Sequence, residues 1–240
     1  MKKNIRINKA NFFNKKYFNI KNFNNIKNDF KFIVSYLKNK KINFEYKRII
    51  DVACGNASFL YHLKSKYKNN KFFGLDNHKE LISFNKKNKL LEGITFISKN
   101  CSTKFSNKNF DLITMLGTMN VIKDQKKIIN NLLNQLNKNG LLIFNVYLNK
   151  HNIDVDVNYT QHLKNNLKVK NAIYIKSYQD IKKFITGKKI SKIDIIENEY
   201  PYKIDKTEGV NMYTLKIGNK NRRSNNLNMI YDQFLCIIKK

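Results

Sequence analysis

Residues 49–58 read IIDVACGNAS, so a short apolar run passes directly into a turn of small residues. The apolar half predicts a buried strand, and the residues after the turn have the spacing of a helix. Ala53, Gly55 and Ala57 leave room for the backbone to approach a ligand closely. Asp51 is the distinctive residue, because an acid just before such a turn indicates a ligand that carries a cationic group.

Outward from this stretch, strand-like and helix-like segments alternate. Apolar spacing predicts a helix over residues 26–40, and five short strands follow it with helices between them. Residues 149–176 show no dominant period, and residues 201–228 read as a long polar loop with the layout of an inserted hairpin. The alternation predicts an α/β fold with a parallel sheet and helices on both faces.

Composition excludes several classes of protein. The chain has 240 residues, of which 42% are hydrophobic, so it is not a disordered tail. Its net charge of +30 is typical of nucleic-acid binding, but Lys and Asn are both abundant throughout, which indicates a compositional bias. Three distant cysteines exclude a disulfide framework, and we find neither a zinc-ligand spacing nor a signal peptide. We expect a cytoplasmic protein without a membrane segment.

A second acid supports a nucleotide-type ligand. Asp76 ends the second predicted strand, 25 residues after Asp51, close to the offset at which a βαβ fold places an acid on a ribose diol. The pair DVACGNAS (51–58) and GLD (74–76) resembles the class I S-adenosylmethionine-dependent methyltransferases. The likeness extends to FDLI (110–113) and to LNKNG (136–140), which stands where the family has its LKPGG turn.

The resemblance implies a Rossmann-like, doubly wound, seven-stranded mixed sheet whose last strand is antiparallel, with an N-terminal helix and a C-terminal insertion. It implies a single domain over residues 1–240: an N-terminal lid and helix (1–45), a cofactor-binding core (46–148), and a substrate-side region with the last two strands (149–240). It also implies S-adenosylmethionine as cofactor and S-adenosylhomocysteine as product. By position, the cofactor-binding residues are Asp51, Ala53, Cys54, Gly55, Ala57, Asp76, Asn77, Asn100, Cys101, Leu116 and Gly117.

Two departures from the family pattern concern the adenine and the turn. Asn100 and Cys101 stand where the family often has Gly-Asp after the third strand, so Asn100 or the backbone would hold the adenine amino group. Alanine replaces glycine at positions 53 and 57, which small side chains accommodate. We therefore expect the cofactor site to be retained.

The sequence identifies the acceptor side less well. The candidate catalytic residues are His151, Tyr159 and His162, and the candidate acceptor-binding residues are Tyr17, Arg222 and Arg223. An ordinary solvent-exposed or packing role is the alternative for each of them. The run HNIDVD (151–156) has one His and two Asp, a pattern common by chance, so no metal is predicted.

We expect methyl transfer to an O or N atom of a small molecule, of which sugars and glycans are one class. No motif for amino-group or cytosine-C5 methylation of nucleic acid is present. An RNA methyltransferase is the alternative enzyme, which the net charge favours, and a degenerate methyltransferase-fold scaffold is the non-enzymatic alternative. The sequence leaves the oligomeric state open.

Overall fold

A computed structural model describes residues 23–24, 26–40, 42, 47–162, 168–197, 203–206 and 212–240. These residues divide into two compact units. The first unit contains the residues up to 116 together with residues 131–140, and the second contains residues 117–130 and 141–240. That the whole chain acts as a single functional domain stays a prediction.

The first unit holds four parallel strands, in the order β3 (Ile94–Ser98), β2 (Lys71–Asp76), β1 (Arg48–Val52) and β4 (Phe110–Met115). The chain adds β2 and β3 on one side of β1 and then returns to place β4 on the other side. The carboxyl ends of β1 and β4 therefore form a topological switch point, where open α/β sheets bind ligands. Its elements are α1 (Asn28–Asn39), β1 (Arg48–Val52), α2 (Ser58–Lys66), β2 (Lys71–Asp76), α3 (Lys79–Lys87), β3 (Ile94–Ser98) and β4 (Phe110–Met115), with a 3-10 helix at Lys89–Leu91.

Apolar side chains of β1 and β4 form the core of this unit. Ile49, Ile50, Leu112 and Ile113 are fully buried, as expected for parallel strands covered on both faces. Helix α1 buries its apolar stripe, and the Phe30 ring lies 4.9 Å from the Phe59 ring of α2. The predicted helix at 26–40 is thus confirmed, while most of the predicted N-terminal lid lies outside the described residues.

The second unit is built mainly on antiparallel pairs, with one short parallel pairing between β5 (Leu136–Asn149) and β7 (Lys168–Ser177). Strand β11 (Ile230–Lys239) pairs with β5 on one side and with β8 (Lys192–Glu197) on the other, so the predicted antiparallel last strand is confirmed. Strands β9 and β10 form a hairpin at the start of β11, and β6 and β7 form a second hairpin. Its elements are α4 (Gln125–Asn134), β5 (Leu136–Asn149), β6 (Val155–His162), β7 (Lys168–Ser177), α5 (Tyr178–Thr186), β8 (Lys192–Glu197), β9 (Met212–Ile217), β10 (Lys220–Asn225) and β11 (Ile230–Lys239), with a 3-10 helix at Met119–Val121; α4 and β5 each extend into the first unit.

The observed architecture is the mixed α/β, Rossmann-like fold that the sequence predicts, but the described residues form eleven strands rather than seven. One of the two additional hairpins lies in residues 149–176, which read as aperiodic, and the other lies in residues 201–228, where the sequence has the layout of an inserted hairpin. The turn predicted at 136–140 is also different. Strand β5 already begins at Leu136, and the chain bends within it at Asn139, whose φ is 64°.

Candidate functional site

The turn after β1 has an unusual backbone. Ala53, Gly55 and Ala57 all have positive φ, at 56°, 56° and 60°. Glycine adopts this conformation without strain, whereas alanine pays for the contact between its Cβ and the following carbonyl. The turn therefore depends on surrounding contacts, and the predicted small residues are the ones with a left-handed backbone.

Hydrogen bonds from the neighbouring strand fix this turn. The Cys54 N–H donates to the Leu75 carbonyl at 3.0 Å, which extends the β1–β2 pairing by one bond. The Gly55 N–H donates to Asp76 Oδ2 at 3.1 Å, and the His78 N–H donates to Asp76 Oδ1 at 3.0 Å. Asp76 thus joins the first turn to the start of α3, and it is 6% exposed.

Asp51 lies beside Asp76 in an environment that disfavours its charge. It is 4% exposed, and its Oδ1 accepts a hydrogen bond of 2.6 Å from the Thr114 hydroxyl on β4. Burial raises the pKa of the Asp51 carboxyl to about 7, and the Asp76 charge acts in the same direction. The Thr114 hydrogen bond and the Lys27 charge oppose this rise in pKa. A cationic ligand would lower the pKa and restore the full negative charge.

Cys54 is buried, and its side chain is a protonated thiol. A Cβ on Gly74 would lie 2.7 Å from the Phe96 ring and 3.0 Å from the Cys54 Sγ, so β2 needs a glycine here. Burial raises the pKa of the Cys54 thiol well above its usual range, and the charges of Asp51 and Asp76 add to the effect. The thiol therefore stays protonated and is a poor nucleophile.

The residues predicted around the adenine follow β2 and β3. Asn77 is exposed, and the Asn100 side chain is used within its own turn, where Oδ1 accepts from the Ser102 N–H at 2.8 Å. Cys101 is half-buried, and its carbonyl accepts from Asn131 Nδ2 at 2.7 Å. Burial raises the pKa of the Cys101 thiol, and the Asp76 charge contributes to this rise.

Leu116 and Gly117 follow β4. Leu116 is half-buried, whereas Gly117 is exposed with a φ of 81°. The Gly117 N–H donates to Asn145 Oδ1 at 2.6 Å, which fixes this turn within the second unit. The role of both residues toward a cofactor stays a prediction.

The acceptor-side candidates are more scattered. His151 and His162 are exposed, and Tyr17 lies outside the described residues. Tyr159 is half-buried, and both it and Arg223 contribute to the pKa of Tyr231, which burial raises. Their catalytic or acceptor-binding roles stay predictions.

The paired arginines have different surroundings. Arg222 forms an ion pair with Asp232 and lies 3.8 Å from Glu197, whereas Arg223 is 7% exposed. In the run considered for a metal, Asp154 and Asp156 both pair with Lys176. Over the described ranges, we find no cluster of metal-ligating side chains and no helix long and apolar enough to span a membrane.

Two side chains of the site escaped the sequence analysis. Thr114 is a polar residue within the buried strand FDLITM, and Asn85 is a polar residue on the buried face of α3. The signal was present in both cases, since each interrupts an apolar pattern. The signal is weak, because Asn is abundant throughout the chain and Thr is an ordinary residue in β-strands.

The geometry and the family comparison agree. A family model described as a methyltransferase domain matches residues 43–207, which include the turn, both acids and Thr114. The chain belongs to this methyltransferase family. The predicted class, an S-adenosylmethionine-dependent methyltransferase, is therefore confirmed, and with it the cofactor.

Solved structures similar to this methyltransferase share its fold. An S-adenosylmethionine-dependent methyltransferase from Clostridium acetobutylicum has a TM-score of 0.58 at 18% identity, covering 97% of this chain and 99% of its own. A magnesium protoporphyrin IX methyltransferase from Synechocystis, with bound S-adenosylmethionine, has a TM-score of 0.53 at 13% identity. The match covers 88% of this chain and 78% of its own. An amino pentose methyltransferase from Micromonospora echinaspora has a TM-score of 0.54 at 9% identity. The match covers 88% of this chain and 90% of its own. No curated protein matches the methyltransferase in sequence.

Proposed function

We propose that this methyltransferase binds S-adenosylmethionine at the carboxyl ends of β1 and β2 and methylates an O or N atom of a small-molecule acceptor. The observation that carries the proposal is the arrangement of Asp51 and Asp76 around the Gly55 turn. Two carboxylates suit a ligand with both a cationic amino acid end and a ribose diol. The small turn residues allow the backbone to approach that ligand closely.

Each part of the site has a task in this proposal. Asp51 faces the positively charged methionine end, and Asp76 accepts hydrogen bonds from the ribose hydroxyls while it keeps the Gly55 N–H in place. Asn77, Asn100 and Cys101 flank the adenine. Leu116 borders the cofactor after β4.

When bound, the cofactor supplies a methyl group on a positively charged sulfur. The acceptor oxygen or nitrogen forms the new bond to this methyl carbon, and the electron pair of the broken S–C bond stays on sulfur. The acceptor gives up its proton to water or to a basic side chain. The protein contributes mainly by holding the two reactants in line and by excluding water.

The ion pairs of the second unit support a small acceptor over RNA. Several of its basic side chains are matched with acids, so they do not add to an unbalanced positive surface. These pairs are Lys126–Asp180, Lys150–Glu197, Lys176–Asp154, Lys176–Asp156, Lys192–Asp194 and Arg222–Asp232.

Transfer of a radiolabelled methyl group tests the acceptor class. The protein is incubated with labelled S-adenosylmethionine and, in parallel, with the heat-treated low-molecular-mass fraction of a cell extract or with total RNA. We expect label in small products only, and loss of that label in Asp76→Ala. Label that enters RNA alone contradicts the small-molecule acceptor while leaving the methyltransferase intact.

A further inference from the structure

Asn85 occupies a position where helix α3 calls for an apolar residue. Leu81, Ile82 and Asn85 are the buried residues of this helix, at the spacing of a single helical face. Asn85 is only 1% exposed. A carboxamide at such a position must find hydrogen-bond partners, because burial removes those that water would offer.

Only one of the two polar atoms of the Asn85 side chain has a hydrogen-bond partner among the described residues. Nδ2 donates to the Gly55 carbonyl at 2.8 Å, whereas Oδ1 is buried and has no hydrogen-bond partner in the described part of the chain. An apolar side chain of the same shape would avoid this orphaned acceptor. The residue is therefore poorly explained by stability alone, and its one hydrogen bond reaches the site.

That hydrogen bond completes the restraint on Gly55. Asp76 holds the Gly55 N–H and Asn85 holds the Gly55 carbonyl, so both polar groups of a residue with a φ of 56° are fixed by side chains. The Gly55 carbonyl shares a planar trans peptide group with the Asn56 N–H, which must point in the opposite direction. Fixing the carbonyl toward α3 thus aims the Asn56 N–H away from α3.

We propose that Asn85 is a positioning residue for the cofactor, which acts by fixing the peptide group between Gly55 and Asn56. The inference rests on the proposed function, since it assumes that the turn after β1 binds S-adenosylmethionine. Asn85 itself need not touch the cofactor. Its buried Oδ1 lowers the stability of the free protein, while its Nδ2 hydrogen bond keeps the binding turn in one conformation.

The test compares stability with affinity in Asn85→Leu and Asn85→Ala. Leucine keeps the branched shape and removes the orphaned oxygen, so the melting temperature of the free protein should stay or rise. Affinity for S-adenosylhomocysteine, measured by calorimetry, should fall about tenfold. Asn85→Ala should melt at a lower temperature because it leaves a cavity, yet lose the same affinity.

Asn70 provides a matched control. It also has one hydrogen bond to the backbone, from the Lys47 N–H to Oδ1 at 2.9 Å, and one buried amide atom without a partner. It lies before β2, at the end of the parallel strands opposite the site. Asn70→Leu should leave affinity for S-adenosylhomocysteine unchanged.

The outcomes separate the two proposals. If the wild-type protein fails to bind S-adenosylhomocysteine, the proposed function itself is wrong. If the wild-type protein binds and Asn85→Leu binds equally well, only the positioning role is overturned. It is also overturned if the affinity loss follows the melting temperature across the Asn85 variants, or if Asn70→Leu loses as much affinity as Asn85→Leu.

Discussion

Thr114 on β4 donates a 2.6 Å hydrogen bond to Asp51 on β1, and the two residues lie opposite each other in the parallel pairing of these strands. The bond joins the two strands at the switch point of the sheet. It supports the ionised form of a carboxylate whose burial favours the neutral form. The strand pairing thus partly offsets the effect of burial on the charge of the candidate cofactor site.

Replacing Thr114 with valine should weaken cofactor binding at neutral pH. Valine keeps the side-chain volume but removes the donor, so the pKa of Asp51 should rise further above about 7. A smaller ionised fraction would then face the cationic ligand, and affinity for S-adenosylhomocysteine at pH 7 should fall about tenfold. Calorimetry at pH 7 and pH 8.5 should show the difference shrinking at the higher pH.

Thr186→Val is the control for this change, because the Thr186 hydroxyl bonds to carbonyls within α5. It should leave affinity unaltered. Equal affinity of Thr114→Val and wild-type protein at pH 7 would show that the hydroxyl does not tune Asp51.

Asp51 should make the stability of the free protein depend on pH. Its pKa is near 3.8 when exposed and about 7 when folded, so the folded state binds the proton more tightly. Stability from this group is complete below pH 4 and is lost as the pH rises to 7, by up to about 4 kcal/mol. Asp51→Asn should remove this contribution.

Urea unfolding between pH 4 and pH 8 measures the effect. Other groups titrate over the same range, so the relevant quantity is the difference in free energy of unfolding between wild type and Asp51→Asn. The free energy of unfolding of Asp51→Asn should therefore increase relative to that of the wild type as the pH rises. Parallel pH profiles of the two proteins would contradict the assignment.

The left-handed residues of the turn predict opposite effects for two reciprocal substitutions. Ala53→Gly relieves the strain of a φ of 56°, and the greater conformational entropy of glycine in the unfolded chain offsets part of this gain. The net effect should stabilise the protein by up to about 1 kcal/mol. Gly55→Ala introduces the same strain and should destabilise it by about 1 to 2 kcal/mol. Thermal unfolding of both variants tests this pair.

Asn139→Gly serves as the reference for this pair, because Asn139 also has a positive φ but asparagine tolerates this conformation better than alanine. Its effect should be smaller than that of Ala53→Gly. A destabilised Ala53→Gly would mean that the alanine methyl group contributes packing that exceeds its backbone strain.

The sequence predicted the parallel strands well because strands that are buried on both faces consist mostly of apolar residues. The second predicted strand ends at Asp76, as β2 does, and the segments 49–52 and 110–113 that the sequence analysis singled out lie in β1 and β4. The same logic placed Asp51 and Asp76 at one edge of the sheet. Parallel strands share their carboxyl edge, so residues at strand ends come together without any knowledge of loops.

The antiparallel hairpins were harder to predict for two reasons. In β6, Val155, Val157 and Tyr159 do alternate with polar residues, but the half-buried strand carries only this weak signal. Strand β10 reads KNRRSN and contains no apolar residue, so its strand conformation comes from pairing with β9 and β11. Tertiary pairing overrides local preference there.

Within the site, the sequence predicted the two acids and the turn but not the side chains that hold them. Asn85 and Thr114 reach Gly55 and Asp51 from elements distant in sequence. Their partners depend on how helix α3 packs against β2 and β3 and on how strand β4 pairs with β1. No spacing rule within one segment contains that information.

Calorimetric titration with S-adenosylhomocysteine tests the central claim, that the Asp51–Asp76 arrangement binds the cofactor. NAD serves as the control ligand, and Asp76→Ala as the variant, with its folded state checked by circular dichroism. We expect saturable binding of S-adenosylhomocysteine to the wild type, no binding of NAD, and at least a hundredfold weaker binding to folded Asp76→Ala. Wild-type protein that is folded but binds no S-adenosylhomocysteine, or a variant that binds it as tightly as wild type, would contradict the claim.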